Sequence, residues 1–252
     1  YNTYYSSFNA NMAMNEAFLP SSTVRDNVVN IAKLLNYVPR SVQASGGTVN
    51  LTVQTIQSSG SYPSTVTLKK GAVATGGNYI WNITSDTTAE VNSTTGIATF
   101  TNLVLKEGSI VNFQYVVNTF ASQNYKVPSE DADINTLSVR VKANESSTTS
   151  DLYNVVDTIT GLTANSRVYF LSEGEDMRYE VKFGDDSVGR ALKDGEVVQF
   201  EYLVTSGAEA NDVDKFSYIG RMNDTLGHSY STAAVTLTKV ARSHNGTAAE
   251  TI

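Results

Sequence analysis

A chain of 252 residues has room for one or two domains, each large enough to bury a core without covalent staples. It has no cysteine, which excludes a disulfide framework and thiol chemistry. Its 18 Lys and Arg against 25 Asp and Glu leave a net charge of -7, which argues against a broad surface that tracks nucleic-acid phosphates.

Only 17% of the residues are charged, so polarity rests on Ser, Thr, Asn and Gly, a composition suited to strands and turns. Apolar runs fall short of the roughly 18 residues a membrane span needs, and the first residues lack the layout of a signal peptide. The chain starts at Tyr1 without an initiator Met and stops at Ala-Ala-Glu-Thr-Ile, which reads as an internal portion of a longer protein.

From Asn2 to Phe18, helix formers such as Ala10, Met12, Ala13 and Glu16 stand among aromatics, and Pro20 ends the run. Ser21, Ser22 and Thr23 then offer side-chain oxygens to the amides of a second helix running to about Asn36. Its apolar residues Val24, Val28, Ile31, Leu34 and Leu35 recur at spacings of three and four. The expectation is a helical hairpin over 1–41. Its stripe of Val24, Val28, Ile31 and Leu35 is a candidate interface, because a lone helix of this length is marginal.

After Arg40 the period changes to two. Alternation at 49–53, 66–68, 79–83 and 97–100 predicts strands, separated by turn signals at Ser58-Ser59-Gly60, Gly76-Gly77-Asn78 and Asn92 to Gly96. The run from Ile110 to Val117 closes a first β domain over 42–120. Strands at 137–141, 168–171, 179–183, 197–204 and 233–240 form a second β domain over 121–242, followed by a tail over 243–252. The expected fold is mainly β: an N-terminal helical hairpin followed by two β-sandwich or barrel-like units.

Groups for catalysis are sparse. His228 and His244 are the two imidazoles, and no spacing brings them to a metal with other local ligands, so both read as exposed loop residues. Asp185 and Asp186 could hold a divalent cation with Glu180 or Asp176. Adjacent carboxylates diverge on an extended chain, however, and the glycines around them favour a tight reversal. Glu130, Asp131 and Asp133 lack the Gly and distal Glu of a calcium loop and read as a solvated loop. Gly71 to Gly77 has no Gly-Lys-Ser/Thr ending, so it is not a phosphate loop. Six Asn-x-Ser/Thr sequons, at Asn50, Asn82, Asn92, Asn144, Asn223 and Asn245, match what an Asn-, Ser- and Thr-rich chain produces by chance. No pair of acids stands out as a glycosidase dyad. Trp81 and 14 tyrosines could stack on sugar rings, although a single strand Trp is more often core.

One stretch is more specific. Phe183-Gly184-Asp185-Asp186-Ser187-Val188-Gly189-Arg190-Ala191-Leu192-Lys193-Asp194-Gly195, followed by Phe200-Glu201-Tyr202-Leu203-Val204 and by Gly207-Ala208-Glu209-Ala210-Asn211, closely resembles a pattern of the baseplate J-like wedge proteins of contractile-tailed phages. That pattern is Phe-Gly-Asp-Gly-x-x-Gly-x-x-Leu-x-x-Gly, with a following strand and Gly-x-x-x-Asn. Asn15 to Pro20 and Val24 to Ser41 resemble the helical start of the T-even-type form, and Tyr125 to Leu137 falls at its second β start. Asp186 stands where the pattern usually has Gly, which implies a wider reversal, and 212–252 match only loosely.

The resemblance implies a structural subunit that joins neighbouring wedges into a ring around the hub and reorganises on tail contraction. It implies a virion tail baseplate location after assembly in the host cytoplasm, and other wedge subunits and copies of itself as partners. It implies no catalytic centre and no cofactor, and no nucleic-acid, membrane or small-molecule partner. Within the motif, Gly184, Gly189 and Gly195 read as turn glycines, Asp185 as a turn carboxylate, and Phe183 and Leu192 as the apolar side chains beneath. A carbohydrate-binding or adhesion module is the alternative function.

Overall fold

The computed structural model of the protein describes residues 2–18, 21–34, 37–174 and 177–251, and the side chains of these except 2–4, 26, 33 and 34. The chain is mainly β, with two nearly closed barrel-like sheets.

Six strands come first: β1 (Gly46–Gln54), β2 (Thr65–Leu68), β3 (Gly71–Gly76), β4 (Tyr79–Ile83), β5 (Thr87–Glu90) and β6 (Ile97–Glu107). Seven follow: β7 (Ser109–Val116), β8 (Tyr125–Lys126), β9 (Ala132–Lys142), β10 (Asp151–Val155), β11 (Val168–Glu173), β12 (Tyr179–Phe183) and β13 (Val197–Val204). The last four are β14 (Ser217–Tyr218), β15 (Met222–Asp224), β16 (Ser229–Tyr230) and β17 (Val235–His244).

The first barrel is built from a six-stranded sheet ordered β14-β3-β4-β6-β1-β17. Its ends approach each other where Asp212 N donates to Ser243 O (2.8 Å) and Ser243 N to Val213 O (3.1 Å). A four-stranded sheet, β16-β15-β2-β5, lies over it. The period-two pattern of β1 sends Val49, Leu51 and Val53 inward, where they meet Val66 and Leu68 of β2, Trp81 of β4 and Met222 of β15 in one core.

The second barrel is a seven-stranded sheet ordered β7-β13-β9-β10-β11-β12-β8, antiparallel except for β10 beside β11. Its core gathers Val139, Val181, Val198, Phe200 and Tyr202. Near the seam between β7 and β8, the Tyr115 hydroxyl donates to Lys126 O at 2.8 Å.

Strand pairing corrects the expected domain bounds. β7 was expected to close a first domain over 42–120, but it pairs along its whole length with β13. The strands β14 to β17 join the first-barrel sheets rather than a second domain over 121–242. The second barrel is therefore an insertion, residues 109–204, between β6 and β14 of the first. β6 and β7 are separated by Gly108 alone, so nothing in the local pattern marks the change of sheet.

The tail expected over 243–252 is also docked. Gln43 and Thr247 form a bridge, and Glu250 N donates to Arg40 O at 2.9 Å.

Two helices precede the strands, α1 (Asn2–Glu16) and α2 (Arg25–Leu34). The cap of α2 differs from expectation. The Glu16 carboxylate accepts Thr23 N (3.0 Å) and Val24 N (3.2 Å), and Ser22 Oγ and Asn27 Nδ2 donate to it as well. The hydrogen bonds from Ser22, Asn27 and Thr23 hold Glu16 far below the usual carboxylate range. A carboxylate serves here because a helix start favours negative charge. Residues 5–15 of α1 are exposed, so α1 and α2 meet end to end at Glu16 rather than as two packed rods.

Candidate functional site

The motif singled out in the sequence forms the turn after β12. At Gly184 a Cβ would lie 2.2 Å from Gly189 C and 2.5 Å from Val188 O, so glycine alone fits. Asp185 Oδ1 accepts Val188 N and Ser187 N, both at 2.9 Å, and these bonds pull its carboxyl below the ordinary value. Asp186, where the pattern that the motif resembles has Gly, holds φ +65, a left-handed conformation Asp tolerates better than most residues. Its Oδ1 accepts Ala191 N at 2.8 Å. Gly189 and Gly195 take φ +82 and +79.

Beneath the turn, the Phe183 ring meets Tyr125 and Tyr153 edge-on at 5.4 and 5.5 Å, and Leu192 packs on the second core. Arg190 pairs with Glu196 and donates to the Tyr153 hydroxyl at 2.5 Å. Glu196 also accepts Lys193 N at 2.9 Å. These contacts, Glu196 first, push the Arg190 guanidinium further toward its charged form. The motif therefore spends its carboxylates on backbone amides and on Arg190. Glu180 pairs with Lys126 (3.4 Å) and Asp176 lies outside the described residues. Among the described residues no cluster of His, Asp or Glu could hold a metal ion.

The second part of the motif, Gly207 to Asn211, stitches the junction between the barrels. Asn211 Oδ1 accepts Ser45 Oγ (2.8 Å) and Gly246 N (2.9 Å), while its Nδ2 donates to Gly246 O (2.9 Å). This amide ties the start of β1 to the segment after β17. Gly207, at φ +59, would bring a Cβ 2.8 Å from Val42 Cγ2 and 2.9 Å from Thr247 O.

Three buried acids at or near this junction carried no signal in the sequence. Glu107 accepts Thr205 Oγ1 and Ser206 N (3.0 Å). Asp133, read as part of a solvated loop, is instead 1% exposed and accepts Ala44 N (3.1 Å) and Asn135 N (3.0 Å). Its neighbours explain the burial, since two donated amides replace water around the carboxylate. Glu173, 2% exposed, pairs with Arg25 of α2 at 2.8 Å. Asn82, a sequon residue, is buried and donates to Gly108 O at 2.6 Å.

Between the barrels lies an open cleft of ≈ 760 Å³, lined by Tyr79, Ile80, Glu107, Asp131, Met177 and Glu209 among others. Glu107 is already engaged, and among the described residues the cleft lining contains no His, Lys or Arg to act with it.

The candidate interface is split. Val24 is exposed, Ile31 is half-buried and Leu35 lies outside the described residues, but Val28 is buried with Val29 and Ala32. Arg25 donates to Glu173 and to Glu250 O (both 2.8 Å), and the Tyr37 hydroxyl to Glu250 (2.7 Å). The stripe thus faces this chain at Val28, because polar clasps at Arg25 and Tyr37 hold α2 down. α1 leaves apolar side chains exposed along its length: Tyr5, Phe8, Met12 and Met14.

Other sequence candidates resolve as structure. Trp81 is 0% exposed, donates to Gly76 O (3.0 Å) and meets Phe216 edge-on, so it cannot stack on a sugar. His228, read as an exposed loop residue, is half-buried and contacts Asp224 through Nδ1 at 2.9 Å. Burial opposes ionisation of Asp224. Hydrogen bonds from Tyr230, His228 and the His228 and Leu226 amides outweigh it and hold the carboxyl below its ordinary value. That cluster fastens the β15–β16 hairpin. His244 is exposed, with Nδ1 against Arg242 O at 2.9 Å. No protein-family model matches this sequence, and no curated protein matches it.

Proposed function

We propose that this chain is a structural component of a contractile phage tail baseplate wedge, joining neighbouring wedges into a ring around the hub and reorganising when the tail contracts. The observation that carries the reading is α1. A lone helix of this length is marginal in water, yet α1 presents Tyr5, Phe8, Met12 and Met14 to solvent, as a partner-binding element would. The motif residues support the same reading from the other side, because each is consumed in building the turn or the barrel junction rather than in presenting a reactive group.

In this reading the partners are other wedge subunits and copies of the chain, its place is the virion tail, and it acts without cofactor or substrate. No helix among the described residues is long and apolar enough to cross a membrane. Co-purification tests it: wedge proteins of a contractile tail should bind the chain, and Phe8→Asp with Met12→Asp should abolish binding while leaving both barrels folded. Turnover of a glycan or peptidoglycan substrate by the chain would reject the reading.

A further inference from the structure

β7 stands at the end of its sheet and pairs with β13 alone. The phase of its hydrogen bonds follows from Val117, whose N donates to Glu196 O and whose O accepts Gly195 N, both toward β13. By antiparallel alternation, the N–H and C=O of Ile110, Asn112 and Gln114 point away from β13. At the far end of the strand the seam is bridged by side chains: Tyr115 reaches Lys126 O, and Gln123 Nε2 donates to Val116 O at 2.9 Å. Over residues 109–114, among the described residues, no backbone group pairs with this outer side.

Natural edge strands are guarded by charge, proline or brevity. The sequence Ser109-Ile110-Val111-Asn112-Phe113-Gln114-Tyr115-Val116 has eight residues, no charge and no proline. Phe113, although it packs edge-on against Tyr115, is 38% exposed at the open seam.

We propose that this edge docks a second copy of the chain, the two β7 strands pairing antiparallel about a two-fold axis at Asn112. Three features select a copy over another partner. The outward-facing residues are Ile110, Asn112 and Gln114, so a two-fold at Asn112 sets Ile110 against Gln114 of the other copy with every outward group matched. About that axis residue 112 alone faces its own copy, where a charged side chain would repel its mate, and β7 carries no charge there or elsewhere. The Asn112 amide both donates and accepts, so it complements its own mate. The pairing would extend the sheet from one barrel into the other and cover Phe113. It does not rest on the baseplate reading, since any homodimer could use this edge.

Light scattering on the intact chain at about 100 µM, where even a modest interface associates, tests this. The chain should be dimeric. Asn112→Lys and Asn112→Asp should each weaken dimerisation roughly tenfold by setting like charges face to face, and an equal mixture of the two variants should restore it. Asn112 is exposed, so both variants should keep the thermal transition of the parent chain. If Asn112→Asp folds poorly beside Glu201, its cross-strand neighbour, Ile110→Lys with Gln114→Glu provides a second test, because the double variant should dimerise better than either single one. A monomeric parent chain, undiminished dimers in both Asn112 variants, or a mixture that stays monomeric would overturn the proposal.

Discussion

Replacing Gly184 by Ala adds one methyl group where three backbone atoms already stand within 2.5 Å of its position: Gly189 C, Gly189 O and Val188 O. Backbone cannot rotate aside as a side chain can, so the turn has to open. Opening breaks the Asp186 N to Gly189 O bond (3.0 Å) and the two amide bonds to Asp185, each worth about 1 kcal/mol, for a loss near 3 kcal/mol. Gly195 provides the control in the same motif, with φ +79 and nothing within 4 Å of its Cβ position. Gly195→Ala should cost about 1–2 kcal/mol of left-handed strain, offset by about 0.4–1 kcal/mol gained through the less flexible unfolded chain. Urea unfolding would measure both. Amide exchange read strand by strand would report the second barrel, and Trp81 fluorescence would report the first, because Trp81 lies wholly in the first core. A Gly184→Ala protein within 0.5 kcal/mol of the parent, or a Gly195→Ala protein as damaged as Gly184→Ala, would refute the reasoning.

Arg25→Ala strands the buried Glu173 carboxylate and should cost about 3 kcal/mol, releasing α2 to exchange, whereas adding Glu173→Gln should recover most of the loss. Equal stability in the single and double variants would contradict this. Asp186→Gly should be close to neutral, since it loses the Ala191 bond but relieves a positive φ. Asp186→Val should lose about 2 kcal/mol in the same denaturation series. Tyr218 and Tyr230 are each pushed up to about 12 from 10.0, burial being the main cause and Asp224 adding to it at Tyr230. A raised folded pKa means stability that is complete below pH 10 and lost as pH climbs toward 12, so the first barrel should melt progressively lower across that window. The Tyr218 hydroxyl is buried without a partner among the described residues, so Tyr218→Phe should equal or exceed the parent by up to about 1 kcal/mol and flatten that decline.

Local pattern was enough to place many strands. The period-two runs at 79–83, 179–183 and 197–204 coincide with β4, β12 and β13, because each alternates or buries continuously and is bounded by turns. Pairing was not legible. β7 reads the same whether its neighbour is in the first sheet or the second, and the return of β14 to β17 across the inserted barrel is a long-range choice made by the cores. The turn glycines of the motif were visible in composition, and their φ values and close approaches explain them. Asp133, Glu173 and Glu16 were hidden, since their roles depend on amides or a guanidinium brought from distant parts of the chain or across a turn. The α2 stripe misled in part. A helical period shows which face is apolar, but not whether the covering surface belongs to the same chain.

The central claim is that this chain works by holding other chains together. Negative-stain microscopy of contractile-tail wedge proteins co-expressed with and without it tests that claim most directly. The account predicts complete wedges and rings when the chain is present, and incomplete ones when it is absent or carries Phe8→Asp with Met12→Asp. Rings that form equally well without it would contradict the account.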